Sequence, residues 1–236
     1  MRINKYIASS GVTSRRKAED LIKAGKVKVN GKITTELSTD IKSTDHVTVE
    51  GRTIHNIESF VYYKLHKPKG YVCTVSDEKD RKTVMELMRG VHTRVFPVGR
   101  LDYDTEGLLL LTNDGDLSNV LTKPSSEVEK VYYATIEGSI TNDEIKKLTS
   151  GVEIDGYKTK PCSIVVLKKD ENQTKLAITI TEGKNRQIRK MLESVDKTIK
   201  FLKRVQIGEI HLGGLSRGEY APLNAKEKKY ILSLKK

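Results

Sequence analysis

Two hydrophobic periods alternate along this chain. Near the N-terminus Ile3, Tyr6 and Ile7 recur at helical spacing, and Gly11 is placed to end that helix. Ser14 precedes a second helical pattern, Ala18, Leu21 and Ile22, which Gly25 closes. Val27 and Val29 then alternate with Lys26 and Lys28, and Asn30-Gly31 is a tight-turn signal ahead of Ile33. From Phe60 onward strand-like and helical segments interleave. Strands are predicted over 60–66, 107–112, 130–137, 162–168, 175–182 and 205–211, and helices over 83–89, 115–122, 141–149 and 185–195. Leu108 to Leu111 form a continuous apolar run closed by Asn113-Asp114-Gly115, the pattern of a strand buried on both faces. Short turns between several strands predict an α+β fold, a mixed and largely antiparallel sheet with helices packed on it.

This change of pattern divides the chain into a small α/β module over 1–48, a connection over 49–58 and a larger domain over 59–236. The connection has no long Gly/Ser or Pro run, and no internal repeat is apparent.

Charge narrows the partner. Across 236 residues, 43 Lys and Arg face 31 Asp and Glu, a formal charge of +12, which favours a polyanion and nucleic acid first. Charge alone is equally consistent with a solvated basic surface. Cys73 and Cys162 lie far apart without ligand-spaced neighbours, so a reducing compartment and two small core residues are expected, with no zinc site. The N-terminus lacks an apolar leader segment, and no apolar run reaches membrane-spanning length. A cytoplasmic protein is expected, with no membrane partner.

One local feature runs against helix physics. Arg15, Arg16 and Lys17 sit at the start of the second helix, where cations oppose the macrodipole at roughly 0.3–1 kcal/mol each. Lys17 also occupies the position of the capping-box acid. A phosphate held there by amides and side chains together explains the arrangement better than a solvated helix end.

The densest chemistry lies in 97–111. A short polar loop holds Arg100, Asp102, Asp104 and Glu106 and runs directly into the buried leucines. A carboxylate loop fixed to a buried strand holds a reactive group rigidly. The acid spacing imitates the start of a calcium loop, but position twelve is Asn113 and a strand follows, so no metal is expected. Asp104 and Glu106 are read as turn-stabilising acids, with Asp104 bonding the loop backbone.

The stretch Gly99 to Gly115, Gly-Arg-Leu-Asp-Tyr-Asp-Thr-Glu-Gly-Leu-Leu-Leu-Leu-Thr-Asn-Asp-Gly, resembles the active-site motif of the RNA pseudouridine synthases, in the branch that modifies ribosomal RNA. The N-terminal pattern from Ile3 to Gly31 resembles an S4 domain, which binds structured RNA mainly through its backbone. Together the resemblances cover essentially the whole chain. They imply a pseudouridine synthase domain over 59–236 with Asp102 as the catalytic residue. Glu129-Lys130-Val131-Tyr132 is similar to the family's Lys-x-Tyr, which places Tyr132 against the target base. Alone, Tyr132 reads as a core or cross-strand aromatic. Gln187-Ile188-Arg189 is similar to the motif whose base pairs with the catalytic Asp, so Arg189 is expected to pair with Asp102 and keep it ionised. Leu212 or Leu215 is expected to pack under the site. Ala221 stands where relatives commonly carry Arg, which puts that contact in doubt.

The S4 resemblance assigns Arg15, Arg16, Lys17, Lys26, Lys28 and Lys32 to phosphate contacts, which position without reading sequence. Arg100 is expected to wedge into the space a flipped uridine leaves, with Lys130 and Arg186 as further RNA contacts. Lys67, Lys69 and Arg81 are added as phosphate contacts. No cofactor is implied, since turning uridine into pseudouridine balances without redox or energy input. The resemblance points to ribosomal RNA, 23S before 16S, possibly presented as a ribosomal precursor, and to a monomer. The rival reading is a non-catalytic RNA-binding assembly factor. It explains the basic module but not why Asp102, Tyr132 and Arg189 match a catalytic set together.

Overall fold

The computed structural model describes residues 1–55 and 59–235. They fall into two compact units, one built on residues 1–61 with 91–95 and 113–115, the other on the remainder. No helix among the described residues is long and apolar enough to cross a membrane.

In the first unit α1 (Ile3–Ser9) and α2 (Arg15–Lys23) precede four short strands, β1 (Val27–Val29), β2 (Lys32–Ile33), β3 (Val47–Val49) and β4 (Arg52–Ile54). The strands pair antiparallel in the order β2-β1-β3-β4. Ile3, Ile7, Ala18, Ile22, Val27, Val47, Val49 and Ile54 share one buried cluster, so the helical and alternating patterns meet as the sequence requires. Residues 47–54 therefore hold the last strand pair of this unit. The expected connection over 49–58 begins too early, because Val49 and Ile54 bury inward; residues 56–58 lie outside the described residues.

The second unit is a nine-stranded sheet. Its path runs β11 (Ser163–Lys169), β12 (Gln173–Ile180), β8 (Lys130–Glu137), β13 (Ile199–Ile207), β7 (Glu106–Thr112), β5 (Tyr62–Lys67), β15 (Tyr220–Pro222). β6 (Phe96–Val98) pairs with β7, and β14 (Ile210–His211) pairs with β13. Every pairing is antiparallel except β7–β13. α3 (Gly115–Thr122), α4 (Asn142–Thr149), α5 (Gln187–Glu193) and α6 (Ala225–Ser233) complete it, with a small hairpin of β9 (Glu153–Ile154) and β10 (Tyr157–Lys158).

All seven residues of β7 are buried, as the leucine run implies. The parallel contact with β13 is close enough to demand glycine. Gly107 has φ +113°, and a Cβ there would meet the Arg204 carbonyl oxygen at 2.1 Å. Two expectations need correction. The segment 205–211 is not one strand: residues 205–207 end β13, the chain reverses at Gly208 with φ +51°, and Ile210–His211 form β14. The segment 83–89 forms only a 3₁₀ turn, Val84–Leu87, capped by Thr83 and Glu86.

Candidate active site

β6 and β7 form a hairpin with Val98 opposite Leu110, and the acidic loop 99–105 connects them. One ammonium fixes this loop. Lys67, fully buried at the end of β5, donates to the carbonyls of Pro68 at 3.0 Å, Asp102 at 3.0 Å and Thr105 at 2.9 Å. The Thr105 N–H donates to the Asp102 carbonyl at 3.1 Å, closing a turn. Cys73 Sγ accepts from the Leu101 N–H at 3.3 Å and donates to the Leu101 carbonyl at 3.4 Å. Burial lowers the Lys67 pKa and raises that of Cys73. Lys67 is thus unavailable to phosphate, contrary to expectation, because its donors are spent on buried carbonyls. Cys73 and Cys162 are also not closed-off core residues, since both are only partly buried.

The loop faces a cleft of about 980 Å³ whose lining includes Arg100, Asp102, Lys130, Tyr132, Arg186, Arg189 and Arg204. Asp102, Tyr132 and Arg189 thus reach one cavity from a hairpin loop, a strand and a helix. Their pairing differs from expectation. Arg189 Nη2 lies 3.2 Å from Asp104 Oδ2 and donates to the Asp104 carbonyl at 3.2 Å and the Thr105 hydroxyl at 3.3 Å. Among the described residues the ion-pair partner of Asp102 is Arg186, whose Nη1 lies 4.0 Å from Oδ2. Arg186 also donates to Asp104 at 3.2 Å. The cause is local: Arg186 caps α5 in the left-handed region, φ 51°, whereas Arg189 is buried in the helix and meets the loop where it enters β7.

The other acids differ as well. Asp104 serves as an ion-pair partner for Arg186 and Arg189 instead of bonding the loop backbone through its side chain. Glu106 belongs to β7, is 3 % exposed, and accepts from Arg217 Nε at 2.9 Å. It is a buried strand residue, not a turn acid.

Tyr132 shares the inward face of β8 with Ala134 and Ile136 and is 8 % exposed. Its hydroxyl accepts from Arg204 Nη1 at 3.4 Å, and the Arg204 guanidinium carbon lies 5.9 Å from its ring centroid. Sequence reasoning passed over Arg204. The available signal was its register: Leu202 and Arg204 both face inward on β13, and a charge at an inward strand position needs a reason.

Lys130 donates to the carbonyls of Val128 and Thr181, each at 2.8 Å. Burial first, then the charges of Arg204 and Lys160, lower its pKa to about 8. Arg100 is exposed on the loop. Arg81 is held by Asp77, and Lys69 lies 5.1 Å over the Phe201 ring. Neither Leu212 nor Leu215 lines the cleft. Leu212 is buried in the cluster containing Leu108 and Leu110, and Leu215 packs against that cluster; Val98, Leu110, Leu121, Ile180, Leu202 and Ile207 supply the apolar lining.

In the first unit Ser14 caps α2 by accepting from the Lys17 N–H at 3.2 Å, and Arg15, Arg16 and Lys17 are exposed on its first turn. Lys28 and Lys32 are exposed on β1 and β2. Lys26 pairs with Glu50 at 2.8 Å, and the Glu50 pKa is lowered by Lys26 first, then by Arg52 and Lys17. Lys26 thus holds this carboxylate, and the charges of Arg52 and Lys17 act on it as well.

A carboxylate on a rigid loop, beside cations and tyrosines, suits an enzyme acting on a polyanionic, base-bearing substrate. Comparison with known proteins gives this class its family. The family described as RNA pseudouridylate synthase matches residues 61–194, and the S4 domain matches residues 1–51. The chain belongs to the RNA pseudouridine synthases, which are isomerases. A ribosomal large subunit pseudouridine synthase B from Bacillus subtilis (strain 168) is 42 % identical over 235 residues, covering 99 % of this chain and 96 % of its own. An uncharacterized RNA pseudouridine synthase from Aquifex aeolicus (strain VF5) is 41 % identical over 229 residues, covering 96 % and 92 %. A solved pseudouridylate synthase structure aligns over 99 % of both chains with a TM-score of 0.69 and 31 % identity.

Proposed function

We propose that this chain converts a uridine of 23S ribosomal RNA to pseudouridine, with Asp102 as the catalytic carboxylate. The observation that carries this reading is how the cleft spends its acids. Beside the cleft Asp104 is held by two arginines; in its lining Glu182 accepts from Gln187 Nε2 and the Lys160 N–H, and Asp77 is bound by Arg81. Asp102 keeps a side chain 30 % exposed, with Arg186 at the edge of ion-pair distance, while its backbone is pinned by Lys67. Of the acids lining the cleft it is the one without a close partner among the described residues.

The target uridine leaves its stack to reach Asp102, at a cost of a few kcal/mol that is lowest in a loop. Arg100 fills the vacated space, and Arg186 and Lys130 hold neighbouring phosphates. The C1′–N1 bond breaks, the base turns, and C1′ joins C5. Tyr132 stacks on the base and takes the proton from C5. The basic start of α2, with Lys26, Lys28 and Lys32, grips the RNA backbone and so brings the site to one stem-loop. The large-subunit name of the Bacillus subtilis relative favours 23S over 16S RNA, and the chain acts as a monomer.

The test is incubation with unmodified 16S and 23S transcripts and mapping of carbodiimide-dependent primer-extension stops. One new stop on 23S RNA, lost with Asp102→Ala while RNA affinity stays within about twofold, is the expected result. A stop on 16S RNA overturns the substrate, and turnover by Asp102→Ala overturns the catalytic assignment.

A further inference from the structure

Arg204 is a buried cation without a counter-ion. It is 4 % exposed, and no carboxylate lies within ion-pair distance of it among the described residues. Its Nε donates to the Leu108 carbonyl at 2.8 Å and its Nη1 to the Tyr132 hydroxyl at 3.4 Å, while Nη2 has no partner. Burying such a charge is costly unless something repays it. Sheet packing does not: an uncharged side chain would fill an inward position of β13 without that penalty.

Its place in the sheet is specific. β13 lies between β8 and β7, and Arg204 is in register with Tyr132 on one side and Gly107 on the other. The register shifts immediately after it, between Arg204 and Gln206, and such irregularities re-aim side chains beside active sites. One guanidinium thereby ties the Tyr132 hydroxyl to the strand that leads out of the Asp102 loop. Its charge acts on Lys67, Cys73 and Lys130.

We propose that Arg204 is a positioning residue of the reaction: it fixes the Tyr132 hydroxyl and balances the negative charge on that oxygen as it removes the C5 proton. The proposal rests on the reading of Tyr132 given above. Once C1′ is bonded to C5, that carbon still carries its hydrogen. As its own hydroxyl proton passes to water, the Tyr132 oxygen takes this proton, and the C5–H electron pair forms the C5–C6 double bond. The N1=C6 π pair moves onto N1, which takes a proton from water. Negative charge gathers on the Tyr132 oxygen as its hydroxyl proton leaves, and Arg204 already donates to that oxygen.

The experiment separates proton removal from bond rearrangement in the full-length protein. RNA transcripts carrying tritium at uridine C5 report proton release. Transcripts carrying 5-fluorouridine report rejoining through C5 without a proton to lose. In single turnover, Arg204→Lys and Arg204→Gln are expected to slow tritium release on the order of 100-fold, within the range of a general-base contribution. Rearrangement of 5-fluorouridine and RNA affinity should each change less than about threefold, and methylguanidine should restore part of the activity of Arg204→Ala. A merely structural role would slow both reactions alike. In a Tyr132→Phe background, Arg204→Gln should add nothing. If Tyr132→Phe releases tritium at the normal rate, the reading of Tyr132 falls. If Tyr132→Phe is slow but Arg204→Gln is not, or slows it further by the same factor, the Arg204 proposal alone is overturned.

Discussion

Arg189 pairs with Asp104, not with Asp102: its Nη2 lies 3.2 Å from the Asp104 carboxylate and also bonds the backbone of the same residue. Two arginines of one helical segment thus divide the loop, Arg189 binding its frame and Arg186 standing nearest its open acid. Their substitutions should separate. Arg189→Ala removes a largely buried cation and leaves a carbonyl and a hydroxyl short of a donor, a loss of about 1–3 kcal/mol. Arg186→Ala breaks an exposed pair at a cost of about 0.2–1 kcal/mol. Thermal unfolding should show a clear drop for the first and little change for the second, while single-turnover assays show lost activity for both. Equal destabilisation by the two would contradict this division.

Lys67 predicts a loop defect remote from RNA contact. Its ammonium holds the carbonyls of Pro68, Asp102 and Thr105, and methionine has the length to fill the space without the donors. Lys67→Met should leave RNA affinity within about twofold and lower the single-turnover rate at least tenfold, because small misplacement of a reacting group is costly. A fall in affinity with a normal rate at saturating RNA would instead make Lys67 a phosphate contact.

The long periodic elements were legible because burial itself writes their pattern. The leucines of β7 need two covered faces, and Tyr132, Ala134 and Ile136 need one. What escaped was set by tertiary approach. β6 is three residues long and exists because β7 pairs with it, and β15 contains Pro222 and stands at a sheet edge. The Asp102 loop could be read, but not its fastening, since Lys67 and Arg204 gain their roles from carbonyls 35 and 96 residues away. Which arginine meets which acid depended on the left-handed backbone at Arg186, a conformation arginine itself does not announce.

The first unit predicts a salt-dependent grip. Arg15, Arg16 and Lys17 crowd the first turn of α2, and Lys17 and Lys26 both act on Glu50. Replacing Arg15, Arg16 and Lys17 together by alanine should weaken RNA binding and flatten its salt dependence by roughly 0.7–0.9 in logarithmic slope per lost phosphate contact. The rate at saturating RNA should be unchanged. Measuring affinity at several salt concentrations checks this, and an unaltered slope would remove these three residues from the interface.

Lys130 links RNA binding to pH. Its pKa falls from an ordinary 10.5 to about 8 chiefly because burial disfavours the ammonium, with Arg204 and Lys160 adding repulsion. Between pH 8 and 10.5 the unfolded chain therefore holds a proton here that the folded chain has lost. By linkage this group makes stability rise with pH across that window, and its unfavourable burial is fully felt only below it. Binding has the opposite sign. Two of the ammonium hydrogens go to Val128 and Thr181 carbonyls, so one remains for a phosphate, and deprotonation removes the charge that attracts it. RNA affinity should weaken as pH rises through about 8 at constant ionic strength. Lys130→Arg, which stays charged, should bind without that inflection, whereas Lys130→Met should bind at all pH values as weakly as the native protein does above it. An inflection that survives in Lys130→Arg would assign the titration to another group in the cleft.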